Sequence, residues 1–176
     1  FLYVQLITDF IKAVIKQPTD VLTSGLSGSF AVMACKNDAS IIRRIMMINP
    51  EDLAVLNQIP DRQSKASKFL LELPLIGTLV YNILNSRPNI DLAFTEKYLH
   101  NPFHVDTELE DLYYESSHLE NGAGKYLLAS ITGKYIYCNI SHALKTIDNS
   151  IYILEGDSEP RARESVALYT SINPAI

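Results

Sequence analysis

The sequence predicts an α/β protein in which parallel strands and their helices are interrupted by a long helical insertion. Three observations predict it. Residues 20–36 pass from the apolar Val21-Leu22 through Ser24-Gly25-Leu26-Ser27-Gly28 into a segment rich in small residues. That is the pattern of strand, tight turn and helix. A second apolar strand pattern follows at Ile41–Ile48, after the turn Asn37-Asp38. Strand, helix and strand with short links form a βαβ unit, whose strands are parallel and whose crossover is right-handed. From Phe69 to about Ile147 no strand pattern occurs, and a third one then runs from Ser150 to Glu155.

Tyr3 to Lys16 reads as a helix, with Val4, Ile7, Ile11 and Val14 on one face. Pro18 ends it. The first strand, Val21 to Gly25, is apolar enough to be buried on both faces. The helix Gly28–Lys36 carries Ser29, Ala31 and Ala34, small side chains that let it lie close to the sheet. Asn49-Pro50 stops the second strand.

Glu51 to Lys68 is polar and irregular, with a turn at Pro60-Asp61-Arg62. Leu75–Leu84 is an apolar helix, and Thr107-Glu108-Leu109-Glu110 is a capping-box pattern opening a helix to about Tyr114. Asn121-Gly122-Ala123-Gly124 breaks the chain before a helix to Ile131. A helical turn, His142–Thr146, and the turn Asp148-Asn149 lead into the third strand. Pro160 suits the first position of a last helix, Arg161–Ser171. The expected organisation is thus an α/β core over 1–50, a helical cap over 51–149, and the core resumed over 150–176.

Composition narrows the function classes. Of the 176 residues, 47% are hydrophobic and 20% charged, a globular balance. The net charge of −5 and the lack of a basic block argue against nucleic acid or an anionic membrane surface as partner. Cys35 and Cys138 match no Cys-x-x-Cys pattern, so two free thiols in a reducing, cytoplasmic compartment are expected. The longest apolar stretch, Phe69–Leu84, contains Glu72, Pro74 and Gly77. It is shorter than the ~20 residues of a membrane span and reads as a buried or lid helix.

The Gly25-Leu26-Ser27-Gly28-Ser29 turn is compatible with two chemistries. A serine at the tip of a strained strand-to-helix turn is a candidate nucleophile, and Ser27 is the better placed hydroxyl, with Ser29 second. The same turn could instead cradle a phosphate or other ligand. No Gly-Lys-Ser/Thr follows, which excludes a Walker loop, and Gly-x-Gly-x-x-Gly is absent. A nucleophile needs an acid and a base. Asp157 and Glu159 sit in the loop after the third strand, at the same sheet edge as Ser27; both also fit as ordinary loop acids. His100 and His104 are four apart, but Pro102 lies between them and no third ligand follows, so loop histidines are expected and no metal. His118 and His142 lie in the helical insertion.

The turn, the second strand ending at Pro50, the segment Leu73-Pro74-Leu75-Ile76-Gly77 through Ser86-Arg87, the return at Ala129-Ser130-Ile131, and Gly156-Asp157-Ser158-Glu159-Pro160 together resemble an α/β-hydrolase. The cap resembles the epoxide hydrolase and C–C hydrolase-like branch. The resemblance implies a serine hydrolase acting on an ester or similar small acyl substrate, without cofactor. In it Ser27 is the nucleophile, the Gly28 amide is half of the oxyanion hole, and Glu159 takes the acid position, with Asp157 its alternative. Leu75, Leu79 and Tyr113 would shape the acyl pocket. The family's histidine falls beyond Ile176 and its first strands before Tyr3, so the chain is expected to be an internal fragment with an incomplete sheet. The first strand's edge is then expected to be covered by another copy of the chain or by an absent segment. The Gly28-Ser29 ending and the acid Glu favour a second implication, a catalytically silent α/β-hydrolase-like binding protein.

Overall fold

A computed structural model describes residues 2–98, 106–156, 162–174 and 176. The chain divides into two compact units, residues 1–58 with 137–176, and residues 59–136.

The first unit is built on a three-stranded parallel sheet. Helix α1 (Leu2–Phe10) runs into a π turn (Ile11–Ile15), then β1 (Thr19–Ser24), α2 (Ser27–Asn37), β2 (Ile42–Ile48) and α3 (Leu53–Leu56). The unit resumes with α9 (Ser141–Thr146), β3 (Ser150–Leu154) and α10 (Ala162–Ile172). The strand order is β1-β2-β3, so β2 is central. Helix α2 packs on β1, β2, α1 and α9. Its small residues permit the close approach: a Cβ on Gly28 would come within 3.0 Å of Met47 Sδ. Phe30 of α2 stacks on Tyr3 of α1 with 5.2 Å between ring centroids.

The expected first helix is α-helical only to Phe10. At Ile11 the hydrogen bonds widen, and the Lys16 N–H donates to the Ile11 carbonyl at 2.7 Å. The wider turn shifts the side-chain phase. Val4 and Ile11 stay buried while Val14 turns out to solvent.

Burial of β1 on both faces is not observed; Thr23 is its only buried residue. Alternation explains the difference. Thr23, Ile45, Met47 and Ile151 share the face that is buried, whereas Leu22, Ile48, Tyr152 and Leu154 lie on the other and are exposed. A bulge opposite Thr19-Asp20 preserves this sorting. It lets Ile42 and Ile45 both turn inward while Arg43 and Arg44 reach the Asp20 carboxylate from outside.

The second unit is helical: α4 (Arg62–Glu72), α5 (Pro74–Leu84), α6 (Arg87–Ala93) with a π turn Phe94–Tyr98, α7 (Thr107–His118), a short 3₁₀ turn (Leu119–Asn121) and α8 (Gly124–Thr132). The segment expected to be irregular, 51–68, holds α3 and the start of α4. Asp52 caps α3 by accepting from the Ala54 N–H, at 2.7 Å. Asp61 caps α4, accepting from the Ser64 N–H at 2.8 Å while the Ser64 hydroxyl accepts from the Asp61 N–H. Serine fills the third position of this box, where glutamate is the usual signal. Helix α7 is capped by Asp106, not Thr107; its carboxylate accepts from the Glu108 N–H at 3.0 Å. Pro160 lies outside the described residues.

No single helix among the described residues is long and apolar enough to cross a membrane; α4 and α5 reach that length only as a pair bent by 96°. The bend brings Gly77 of α5 onto the end of α4, where an added Cβ would stand 1.9 Å from the Leu71 carbonyl oxygen. Backbone cannot yield there as a flexible side chain would. Gly77→Ala is therefore expected to destabilise the second unit by about 3 kcal/mol or more, read as a lowered urea midpoint.

Asp61 also accepts from Lys134 Nζ at 2.6 Å. That hydrogen bond, aided by the Ser64 N–H, lowers its carboxyl from 3.8 to about 2. A lowered folded value stabilises the fold above the ordinary carboxyl pKa, and the contribution disappears as pH falls from about 4 towards 2. Asp61→Asn is expected to flatten this part of the acid-unfolding profile, measured by circular dichroism against pH.

Candidate active site

Strand β1 ends at Ser24 and α2 begins at Ser27, so two residues make the whole reversal. Gly25 makes it possible: its φ is +55°, and nothing lies within 4 Å of where a Cβ would stand. Its N–H donates to the Ile48 carbonyl at 3.0 Å, extending the β1–β2 ladder into the turn. Leu26 is already right-handed helical.

Ser27 therefore occupies the first turn of α2, and the tip expected for it is taken by Gly25. The Ser27 hydroxyl is half-buried and doubly engaged with Ser24. It donates to the Ser24 carbonyl at 2.7 Å and accepts from the Ser24 N–H at 3.1 Å. The Gly28 amide, expected in the oxyanion hole, donates to the Gly25 carbonyl at 3.2 Å and closes the turn. The amides of Leu26 and Ser27 donate to no acceptor among the described residues. Ser29 is buried behind the turn; it donates to the Leu26 carbonyl at 2.8 Å and accepts from the Cys138 thiol at 3.4 Å. Burial, partly offset by that bond to Ser29, raises the Cys138 thiol above its ordinary value. Burial first, and then the nearby Asp38 carboxylate, pushes Cys35 up to about 11. Neither is a ready thiolate.

Asp157 and Glu159 lie outside the described residues. Asn49, with φ +42°, donates its N–H to the Leu154 carbonyl at 2.8 Å, and its Oδ1 accepts from the Gly156 N–H at 3.0 Å. It ties the ends of β2 and β3 together at the edge where the turn sits. Strand spacing puts the ends of β1 and β3 about 10 Å apart. Sequence reasoning missed Asn49 as more than a strand stop. The available signal was asparagine's tolerance of left-handed backbone, immediately before Pro50.

No histidine reaches the turn among the described residues. His100 and His104 lie outside them. His118 belongs to the second unit, its Nδ1 near the Tyr114 carbonyl at 2.8 Å and the Ser117 hydroxyl at 2.9 Å. His142 Nδ1 meets Lys36 Nζ at 3.2 Å, near the C-terminal end of α2. Nine residues of helix, about 14 Å, separate that end from Ser27. Among the described residues no group of three His, Cys, Asp or Glu could hold a metal ion. Leu75, Leu79 and Tyr113 are exposed on the second unit, and Tyr113 meets Phe94 edge-on.

Removing a left-handed glycine's freedom should cost more than removing a hydrogen-bonded hydroxyl. Gly25→Ala is expected to lose about 1–2 kcal/mol although its methyl group meets open space. Ser27→Ala is expected to lose about 1 kcal/mol. Urea unfolding of the two variants checks the order.

No family model and no curated protein matches the sequence. Two solved structures are similar in fold. One is a serine hydrolase from the polyaromatic-hydrocarbon-degrading bacterium Cycloclasticus zankles, with a TM-score of 0.64 over 98% of this chain and 58% of that one, at 11% identity. The other comes from work on carboxylesterases of the ammonia-oxidizing thaumarchaeon Nitrososphaera gargenis, with a TM-score of 0.58 over 98% of this chain and 60% of that one, at 11% identity. The chain thus spans less than two thirds of each. Its parallel sheet, strand-to-helix turn and many helices are part of an α/β-hydrolase fold.

Proposed function

We propose that the chain is the turn-bearing part of an α/β-hydrolase-type protein that binds the carbonyl oxygen of a small acyl ligand without attacking it. The observation that carries this reading is Gly25, left-handed at the strand-to-helix junction where a hydrolase of this fold holds its nucleophile. A glycine there keeps the turn and removes the nucleophile. The Leu26 and Ser27 amides remain as donors at the N-terminus of α2, where the helix dipole favours a partly negative oxygen.

A second reading is a serine hydrolase acting on an ester or similar small acyl substrate. It is favoured by the half-buried Ser27 hydroxyl, two residues past Gly25, and by the names of the two similar structures. In that reading Ser27 Oγ attacks the carbonyl carbon and passes its proton to a histidine, which Glu159 or Asp157 orients. Ser27 would first exchange its bonds to Ser24 for one to that base.

A fluorophosphonate probe separates the two readings on the full-length protein, with tryptic mapping of the adduct. The binding reading expects no adduct on Ser27 in the folded protein. An adduct on Ser27 that disappears in Ser27→Ala would replace it with the hydrolase reading.

A further inference from the structure

Helix α5 of the second unit has two halves of opposite character. The inner half is fixed from three sides. Gly77 lies against the end of α4, the Tyr81 hydroxyl donates to the Ser117 carbonyl of α7 at 3.0 Å, and the Thr78 hydroxyl accepts from Lys125 Nζ of α8 at 2.8 Å. These contacts hold the helix against rotation about its axis, so its outer half cannot turn inward.

The outer half carries Leu75, Ile76, Leu79, Val80, Ile83 and Leu84, which are between 37% and 86% exposed. No charged residue occurs between Glu72 and Arg87. At 3.6 residues per turn the six side chains fall on one side of the helix, in two parallel rows of i, i+4 spacing. One row is Leu75, Leu79 and Ile83; the other is Ile76, Val80 and Leu84. At one margin Leu84 shares a cleft with Leu92 of α6, which is also exposed.

Such a face is costly to leave in water. At roughly 100 Å² per side chain it presents about 600 Å², the upper end of what a monomer ordinarily leaves open. Leu92 and the polar margin at Asn82 extend it towards the ~800 Å² per partner of a stable interface.

The chemistry of the face selects its occupant. Without charge it offers an oppositely charged partner nothing to recognise, and two identical faces can meet on it without like-charge repulsion. The two rows are ridges with a groove between them. A copy related by a two-fold axis seats a ridge in that groove and receives one in return. A lipid surface is the poorer match. A helix that lies in a membrane interface carries Lys and Arg beside its apolar face, and α5 carries neither.

We infer that α5 is the contact surface of a homodimer, in which its outer half packs on the same half of a second copy across a two-fold axis near Leu79 and Val80. This surface belongs to the second unit alone. It is separate from the β1 edge and does not depend on the chemistry at the Gly25 turn.

Sedimentation velocity of the full-length protein tests the inference. A concentration-dependent dimer is expected in the micromolar range. Leu79→Glu places like charges across the axis and should weaken it about thirtyfold or more, with the helical circular dichroism unchanged. Leu75→Glu, at the most exposed position of the face, is the second variant if the first fails to fold. Leu22→Glu, on the open sheet face of the first unit, should leave the dimer intact. A wild-type monomer throughout the micromolar range would overturn the inference. So would a folded Leu79→Glu variant as dimeric as the wild type, or a dimer that Leu22→Glu dissociates. Cosedimentation of a monomeric wild type with phosphatidylcholine vesicles, lost in Leu79→Glu, would overturn it in favour of lipid.

Discussion

The left-handed backbone of Gly25 is the constraint on which the first unit depends. Two residues must turn the chain from the end of β1 into α2, and only a positive φ does that in so short a space. The direction of α2 follows from it, and with it the close approach of Gly28 to Met47 and the burial of Thr23, Ile45 and Met47 beneath the helix. The hydrogen bonds at the turn serve the same end. Ile48 accepts from Gly25, Gly25 accepts from Gly28, and Ser24 and Ser27 hold each other reciprocally. The left-handed backbone falls on glycine, the residue for which it is least costly.

Much of this architecture was legible in the sequence. Apolar runs punctuated by Asn-Asp, Asn-Pro and Asp-Asn marked β2 and β3 almost to the residue, and the small residues of α2 announced its close packing. The register of the turn was not legible. Gly-x-Ser-x-Ser fits a serine at the tip and a glycine at the tip equally well; the two differ by two residues, and only the sign of φ distinguishes them. The starts of α3 and α4 were hidden because Asp52 caps alone and Asp61 shares its box with serine instead of glutamate. The π turn at Ile11 was invisible to a 3.6-residue period, and Val14 was misplaced with it.

Sheet burial shows the other limit of sequence reasoning. A run such as Val21-Leu22 states that a strand is apolar, not what covers each face. Parallel sheets are ordinarily covered on both sides by helices. Here one face is buried and the other presents Leu22, Ile48, Tyr152 and Leu154 to solvent. Asp20, held by Arg43 and Arg44, is the charged exception near the start of the edge strand. At the candidate site, Asn49 was read as punctuation, although it joins the ends of β2 and β3.

The central claim is geometric: Gly25 is the left-handed tip, and Ser27 is a hydroxyl that holds the turn. A crystal structure of the full-length protein at a resolution that defines peptide orientation tests it most directly. The account predicts Gly25 at φ near +55°, with Ser27 helical and its Oγ within hydrogen-bond distance of both the N–H and the carbonyl of Ser24. Ser27 at positive φ, with its Oγ free of Ser24 and facing a histidine, would contradict it.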